Sequence, residues 1–123
     1  ELLVGLPFPA LAFEVMRFVT GPRYFSETVY TGATYPPVEG VERGLLHEAV
    51  ERAELMGRAV AAATMLAQIA PGTFAQTKRQ IHLPVTERIK RDGRKIDADV
   101  TKIWCSPKAA ASIRSYVSRT LKK

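Results

Sequence analysis

The chain has 123 residues, 46% of them apolar and 24% charged, with a formal net charge of +6 and a mean hydropathy of -0.05. That balance excludes an intrinsically disordered chain and suits one folded domain. No apolar run reaches the ~18 residues that a membrane span needs. One cysteine and two distant histidines leave neither an internal disulfide nor a zinc site of ordinary spacing.

The chain opens on Glu1-Leu2-Leu3-Val4-Gly5-Leu6, with no initiator methionine and no basic start of a signal peptide. An apolar run at residue 1 is expected of a chain cut from a longer one. Residues 2–6 read as a short buried strand stopped by Pro7 and Pro9. Residues 10–18 read as a helix that is hydrophobic on most sides. Thr20-Gly21-Pro22 breaks it, and Pro22 opens the next helix. Residues 36–44 look like one short helix, with proline in its first turn and Gly44 as the left-handed cap after its last. The alanine-rich stretch over residues 52–69 predicts a long helix packed on several sides, ended by Pro71-Gly72.

Another helix starts near Thr73, and Pro84 should kink or divide it. Val85, Ile89, Ile96, Val100 and Ile103 then share one stripe. Ser106-Pro107 reads as an N-cap and first-turn proline for the last helix. Cys105, beside Trp104, reads as a buried small hydrophobe. As the single cysteine it can form no internal disulfide, so a reducing, cytoplasmic setting is the expectation. His47 and His82 stand alone and read as surface histidines. Glycine-rich phosphate loops, nucleophile elbows and HExxH motifs do not occur.

Charge divides the chain. Residues 1–74 carry five Arg against eight Glu, a net of -3, and residues 75–123 carry thirteen Lys or Arg against four acids, a net of +9. The basic part favours a polyanion or a phosphate-bearing ligand, although such runs also simply solvate a helix.

Several segments, in order, resemble the crotonase, or enoyl-CoA hydratase/isomerase, superfamily. Glu1-Leu2-Leu3-Val4-Gly5-Leu6-Pro7-Phe8-Pro9 is similar to its Glu-(aliphatic)3-Gly-x-x-x-Pro segment. Thr20-Gly21-Pro22-Arg23-Tyr24-Phe25, Tyr30-Thr31-Gly32, the run from Pro37 to Leu46, and Thr77-Lys78 follow as they do there. The resemblance is to the C-terminal half of such a protein. It implies a mainly α fragment of an α/β spiral (ββα) fold, with one short strand followed by about six helices. Residues 1–74 would end the spiral core and its covering helices, and residues 75–123 would form a basic, trimerisation-type helical region.

The resemblance also implies chemistry. Glu1 falls where hydratases and isomerases of the family place a general acid/base. Tyr116-Val117-Ser118-Arg119 is similar to a family pattern that approaches the coenzyme A nucleotide, with Arg119 toward phosphate and Tyr116 packing on the adenine side. Phe8, in the aromatic series Phe8, Phe13, Phe18, Tyr24 and Phe25, belongs to the core or to the wall of an acyl pocket. The run from Leu6 to Ala12 departs from the glycine-rich turn of many hydratases, which leaves chain-length specificity open. The implied substrate is an acyl-CoA, with coenzyme A as part of the substrate and no separate cofactor or metal. The implied assembly is a homo-oligomer, a trimer or multiple of trimers, without nucleic acid or membrane. A helical assembly or polyanion-binding module, and a crotonase-fold pseudoenzyme, are the alternative readings.

Overall fold

The computed structural model describes residues 2–120. A 3₁₀ turn at Leu2–Val4 is followed by five α-helices: α1 (Ala10–Thr31), α2 (Pro37–Glu42), α3 (Leu55–Ala67), α4 (Pro71–Trp104) and α5 (Pro107–Thr120). The family expectation of a strand is corrected here, since the described residues contain none. Gly5, at φ 82°, donates its N–H to the Leu2 carbonyl at 2.9 Å and closes a turn. A strand needs a neighbouring strand to take up its backbone groups, and among the described residues none lies beside residues 2–6. The helix count among the described residues is five against about six expected, because the two segments on either side of Gly21 form one kinked helix, α1.

α1 is two helical segments joined at a break. Gly21 takes φ 64° and ψ 174°, and Pro22 starts the second segment, as Thr20-Gly21-Pro22 predicts. The second segment ends on Gly32, whose left-handed conformation lets its N–H reach the Thr28 carbonyl at 3.2 Å. α2 ends in a Schellman motif. Leu45 N–H bonds to the Gly40 carbonyl at 2.8 Å and Gly44 N–H to that of Val41 at 3.0 Å. Arg43 then ties α2 to α1, reaching Glu27 at 3.3 Å and Glu39 at 3.2 Å while lying 4.2 Å from the Tyr35 ring centroid.

α4 runs unbroken through Pro84. The missing N–H leaves the Gln80 carbonyl without its intrahelical donor, and this turn is exposed to water, which can take that role. α5 starts as the sequence predicts: Ser106 Oγ accepts from the Ala109 N–H at 3.1 Å.

Packing centres on the seam between α1 and α4, with α5 against both α4 and the 3₁₀ turn. Gly93 is buried in that seam, and a Cβ on it would lie 3.7 Å from that of Ala10, an ordinary van der Waals distance that leaves room for a methyl group. The buried apolar side chains are Leu6, Ala10, Val29 and Ala109, joined by the polar Glu14, Thr20 and Thr28. Of the predicted stripe, Val85, Ile89 and Val100 are half-buried, whereas Ile96 and Ile103 are exposed.

The expectation that the alanine-rich helix packs on several sides is also corrected. Residues 51–84 are exposed throughout, including Met56 at 71% and Met65 at 65%, and α3 has no substantial packing partner among the described residues. Its amino end is tethered by Arg58, which bonds to Glu48 at 2.7 Å. Cys105 is exposed rather than buried, because it lies in the turn after α4 instead of on the seam.

Candidate active-site grooves

Two cavities flank residues 2–9, the described segment before α1. The first, of about 250 Å³, lies in the α1–α4 seam. Phe8 and Phe13 form one side of it, and Ile89, Ile96 and Val100 of α4 form the other. The aromatic side is rigid. Phe8 and Phe13 stand 6.4 Å apart, and Phe13 meets Phe25 edge-on at 5.0 Å across the break in α1. The Arg17 guanidinium covers this pair, 5.2 Å and 4.9 Å from the ring centroids.

The polar rim of this cavity is an ion pair across the seam. Arg88 Nε donates to Glu14 Oε2 at 2.7 Å, and Arg17 approaches the other carboxylate oxygen at 3.4 Å. Glu14 thus keeps two cationic partners although its side chain is only 11% exposed. Asp92 also lines the rim, and its carboxyl is held below the ordinary range by the hydrogen bond from Arg91.

The second cavity, of about 470 Å³, lies between residues 2–5 and α5. Its α5 side presents Lys108, Ser112, Ser115 and Arg119, a spacing that repeats along one helical face. Gly5 lies against this face, where a Cβ would sit 3.6 Å from Ser112 Oγ, an ordinary contact; its φ of 82° is what calls for glycine. Arg119 turns back toward its own helix, with Nε 3.4 Å from the Ser115 carbonyl. Two cations and two hydroxyls facing one groove can receive an anion such as a phosphate.

Of the residues singled out by sequence, Phe8 lines the seam cavity and Arg119 the α5 groove. Tyr116 is half-buried on α5 and lines neither. Glu1 lies outside the described residues. The sequence reading passed over Lys108, Ser112 and Ser115, although their distances from Arg119 along a helix were available. It also passed over Arg88 and Glu14, which 74 positions separate.

Among the described residues no group of three His, Cys, Asp or Glu side chains is placed to hold a metal ion. No helix among them is long and apolar enough to cross a membrane. No curated protein and no solved structure matches the chain. The enoyl-CoA hydratase/isomerase family model matches residues 1–121, and the chain therefore belongs to the enoyl-CoA hydratase/isomerase family, within the crotonase superfamily.

Proposed function

We propose that the chain is the C-terminal part of an acyl-CoA-processing enzyme that hydrates or isomerises an enoyl-CoA thioester, with Glu1 as general acid/base. The observation that carries this reading is the groove bordered by residues 2–5 and by Lys108 and Arg119 of α5, in a chain of this family. It supports placing the phosphates of coenzyme A beside the segment that begins at Glu1. Arg119 suits a phosphate because its guanidinium donates two parallel hydrogen bonds. Tyr116 packs toward the adenine side, and Phe8 forms the wall of the acyl site in the neighbouring seam cavity.

In hydration, the Glu1 carboxylate takes a proton from the water whose oxygen bonds to the β-carbon. The electron pair of the double bond moves to the thioester carbonyl and is returned as the α-carbon takes the proton that Glu1 holds, which regenerates the carboxylate. In isomerisation, the same carboxylate shuttles one proton between carbons. The developing oxyanion is stabilised by two backbone N–H groups from the upstream part of the parent. The 123-residue chain alone is inactive on this reading, no metal takes part, and coenzyme A enters as part of the substrate. The apolar side chains left exposed on α3, such as Val60 and Leu66, support cover by another chain, and the assembly this reading takes is a homo-oligomer, a trimer or a multiple of trimers.

The full-length gene product tests the proposal through hydration of crotonyl-CoA. Glu1→Gln should lower kcat by about 10²–10⁴-fold, the usual contribution of a general acid/base, with coenzyme A affinity retained. Arg119→Ala should raise KM and leave kcat nearly unchanged. Full activity in Glu1→Gln removes that residue from the chemistry. Absence of turnover in the unsubstituted protein, together with strongly salt-dependent nucleic-acid binding, favours a polyanion-binding module instead.

A further inference from the structure

We infer that the C-terminal half of α4 is a splint for the segment leading from Glu1 into α1, with Asp97 as its positioning residue; this rests on Glu1 acting as the acid/base. Three side chains of α4 reach this segment across long stretches of sequence. Trp104 Nε1 donates to the Pro7 carbonyl at 2.9 Å, Asp97 Oδ1 accepts from the Ala10 N–H at 2.7 Å, and Arg88 Nε donates to Glu14 at 2.7 Å. At about 100° per residue, Arg88 falls on one border of the α4 stripe and Asp97 and Trp104 fall on the other. The segment is therefore held on both sides of the seam cavity.

Two of the three bonds go to backbone atoms, so they fix the course of the chain. α1 begins after Pro9, which has no side-chain acceptor to cap the helix. Asp97 supplies the missing acceptor from a residue 87 positions away, and its negative charge suits a helix N-terminus. Between the two fixed backbone atoms lie Phe8 and Pro9, and Pro7 and Pro9 both have restricted φ. Pinning Pro7 and Ala10 thus leaves this stretch little freedom. Upstream, Gly5 is seated against Ser112 of α5. Both stretches between Glu1 and α1 are therefore braced by the basic C-terminal helices.

Placement matters because general acid/base catalysis depends on the reacting atoms lying within hydrogen-bond reach. Loss of the Asp97 contact should let the segment shift while the α1–α4 packing persists. In the full-length protein, Asp97→Ala should lower kcat for crotonyl-CoA by about 10–100-fold, the effect of a displacement near 1 Å. KM should stay within about twofold, as expected when only transition-state contacts are lost. Amide exchange over residues 5–13 should accelerate at least about tenfold, as in a local opening, with the thermal midpoint little changed. Asp97→Asn keeps the acceptor oxygen and should restore kcat.

An unchanged kcat in Asp97→Ala overturns the inference. So does a loss of kcat that Asp97→Asn does not rescue, or one that only follows a general loss of stability. If Asp97→Ala does not fold, Trp104→Phe, which removes the indole donor and keeps an aromatic ring, decides on the same readouts. Failure of the underlying function is distinguishable: the unsubstituted protein is then inactive, or Glu1→Gln is fully active, and either result overturns the splint as well.

Discussion

The two halves of α4 belong to one helix and live in different surroundings. Residues 71–84 are exposed, along with all of α3, although the His82 ring meets that of Phe18 in α1 edge-on at 5.3 Å. Residues 85–104 include the half-buried Val85, Ile89 and Val100, the buried Gly93 and the three side chains that grip the segment before and within α1. Helix formation is therefore not a sign of packing here. The exposed half is stabilised chiefly by its own backbone bonds and by continuity with the packed half, because extending an existing helix is easier than starting one. The packed half gains most from what lies opposite it.

Gly93 gives the largest expected effect. Leucine at this position has no room in the seam and should destabilise the protein by about 1–3 kcal/mol, the usual cost of overpacking. Alanine should do the reverse, because its Cβ would meet Ala10 at 3.7 Å and Ile89 at 3.4 Å, both ordinary contacts. The expected gain is up to ~1 kcal/mol from helix propensity. Urea unfolding of the two variants measures both signs. Equal, negligible changes would mean that the α1–α4 seam is not the stabilising contact it appears in the geometry.

Pro84 probes the other half. Proline in a helix interior costs about 3 kcal/mol, partly offset by ~1 kcal/mol from a more restricted unfolded chain. Pro84→Ala should therefore strengthen α4 locally by about 2 kcal/mol. Amide exchange across residues 76–90 should slow about tenfold or more, the change such a free energy implies for a local opening. Exchange in the α1–α4 seam should slow less. If seam and exposed turns slowed equally, the two halves would open as one unit and the contrast between them would disappear.

Local signals in the sequence anticipated local structure well. Thr20-Gly21-Pro22, Pro37 with Gly44, and Ser106-Pro107 each act through their own φ preference or their own hydrogen bond, so the turn can be read where the residues occur. The expected strand failed because a strand is a relation between segments, and residues 2–6 have no partner strand among the described residues. The alanine-rich α3 shows the same limit from the other side. Its composition indicates a face that favours cover without indicating what lies against it. Within the candidate site, the α5 series from Lys108 to Arg119 follows helical spacing and was open to reading. The bonds of Asp97 to Ala10 and Trp104 to Pro7 join residues 87 and 97 positions apart, and no local pattern marks them.

The smallest expected effect concerns pH. Glu48 is held below its ordinary value by the hydrogen bond from Arg58, Asp92 by that from Arg91, and Asp99 by that from Lys102. Carboxyls with lowered values in the folded state contribute stability that is complete above their unfolded values, and this is lost as pH falls through the folded ones. The ordinary values are 4.5 for Glu48 and 3.8 for the two aspartates, so the loss belongs to acid below that range. All three side chains are open to solvent in large part, so salt should weaken the effect. Glu48 differs in joining the loop before α3 to α3 itself, whereas the other pairs lie within α4. Arg58→Ala should remove the acid dependence of exchange in the first turn of α3 and leave that of the seam unchanged. An α3 whose acid response survives this substitution would be stabilised by something other than its tether to Glu48.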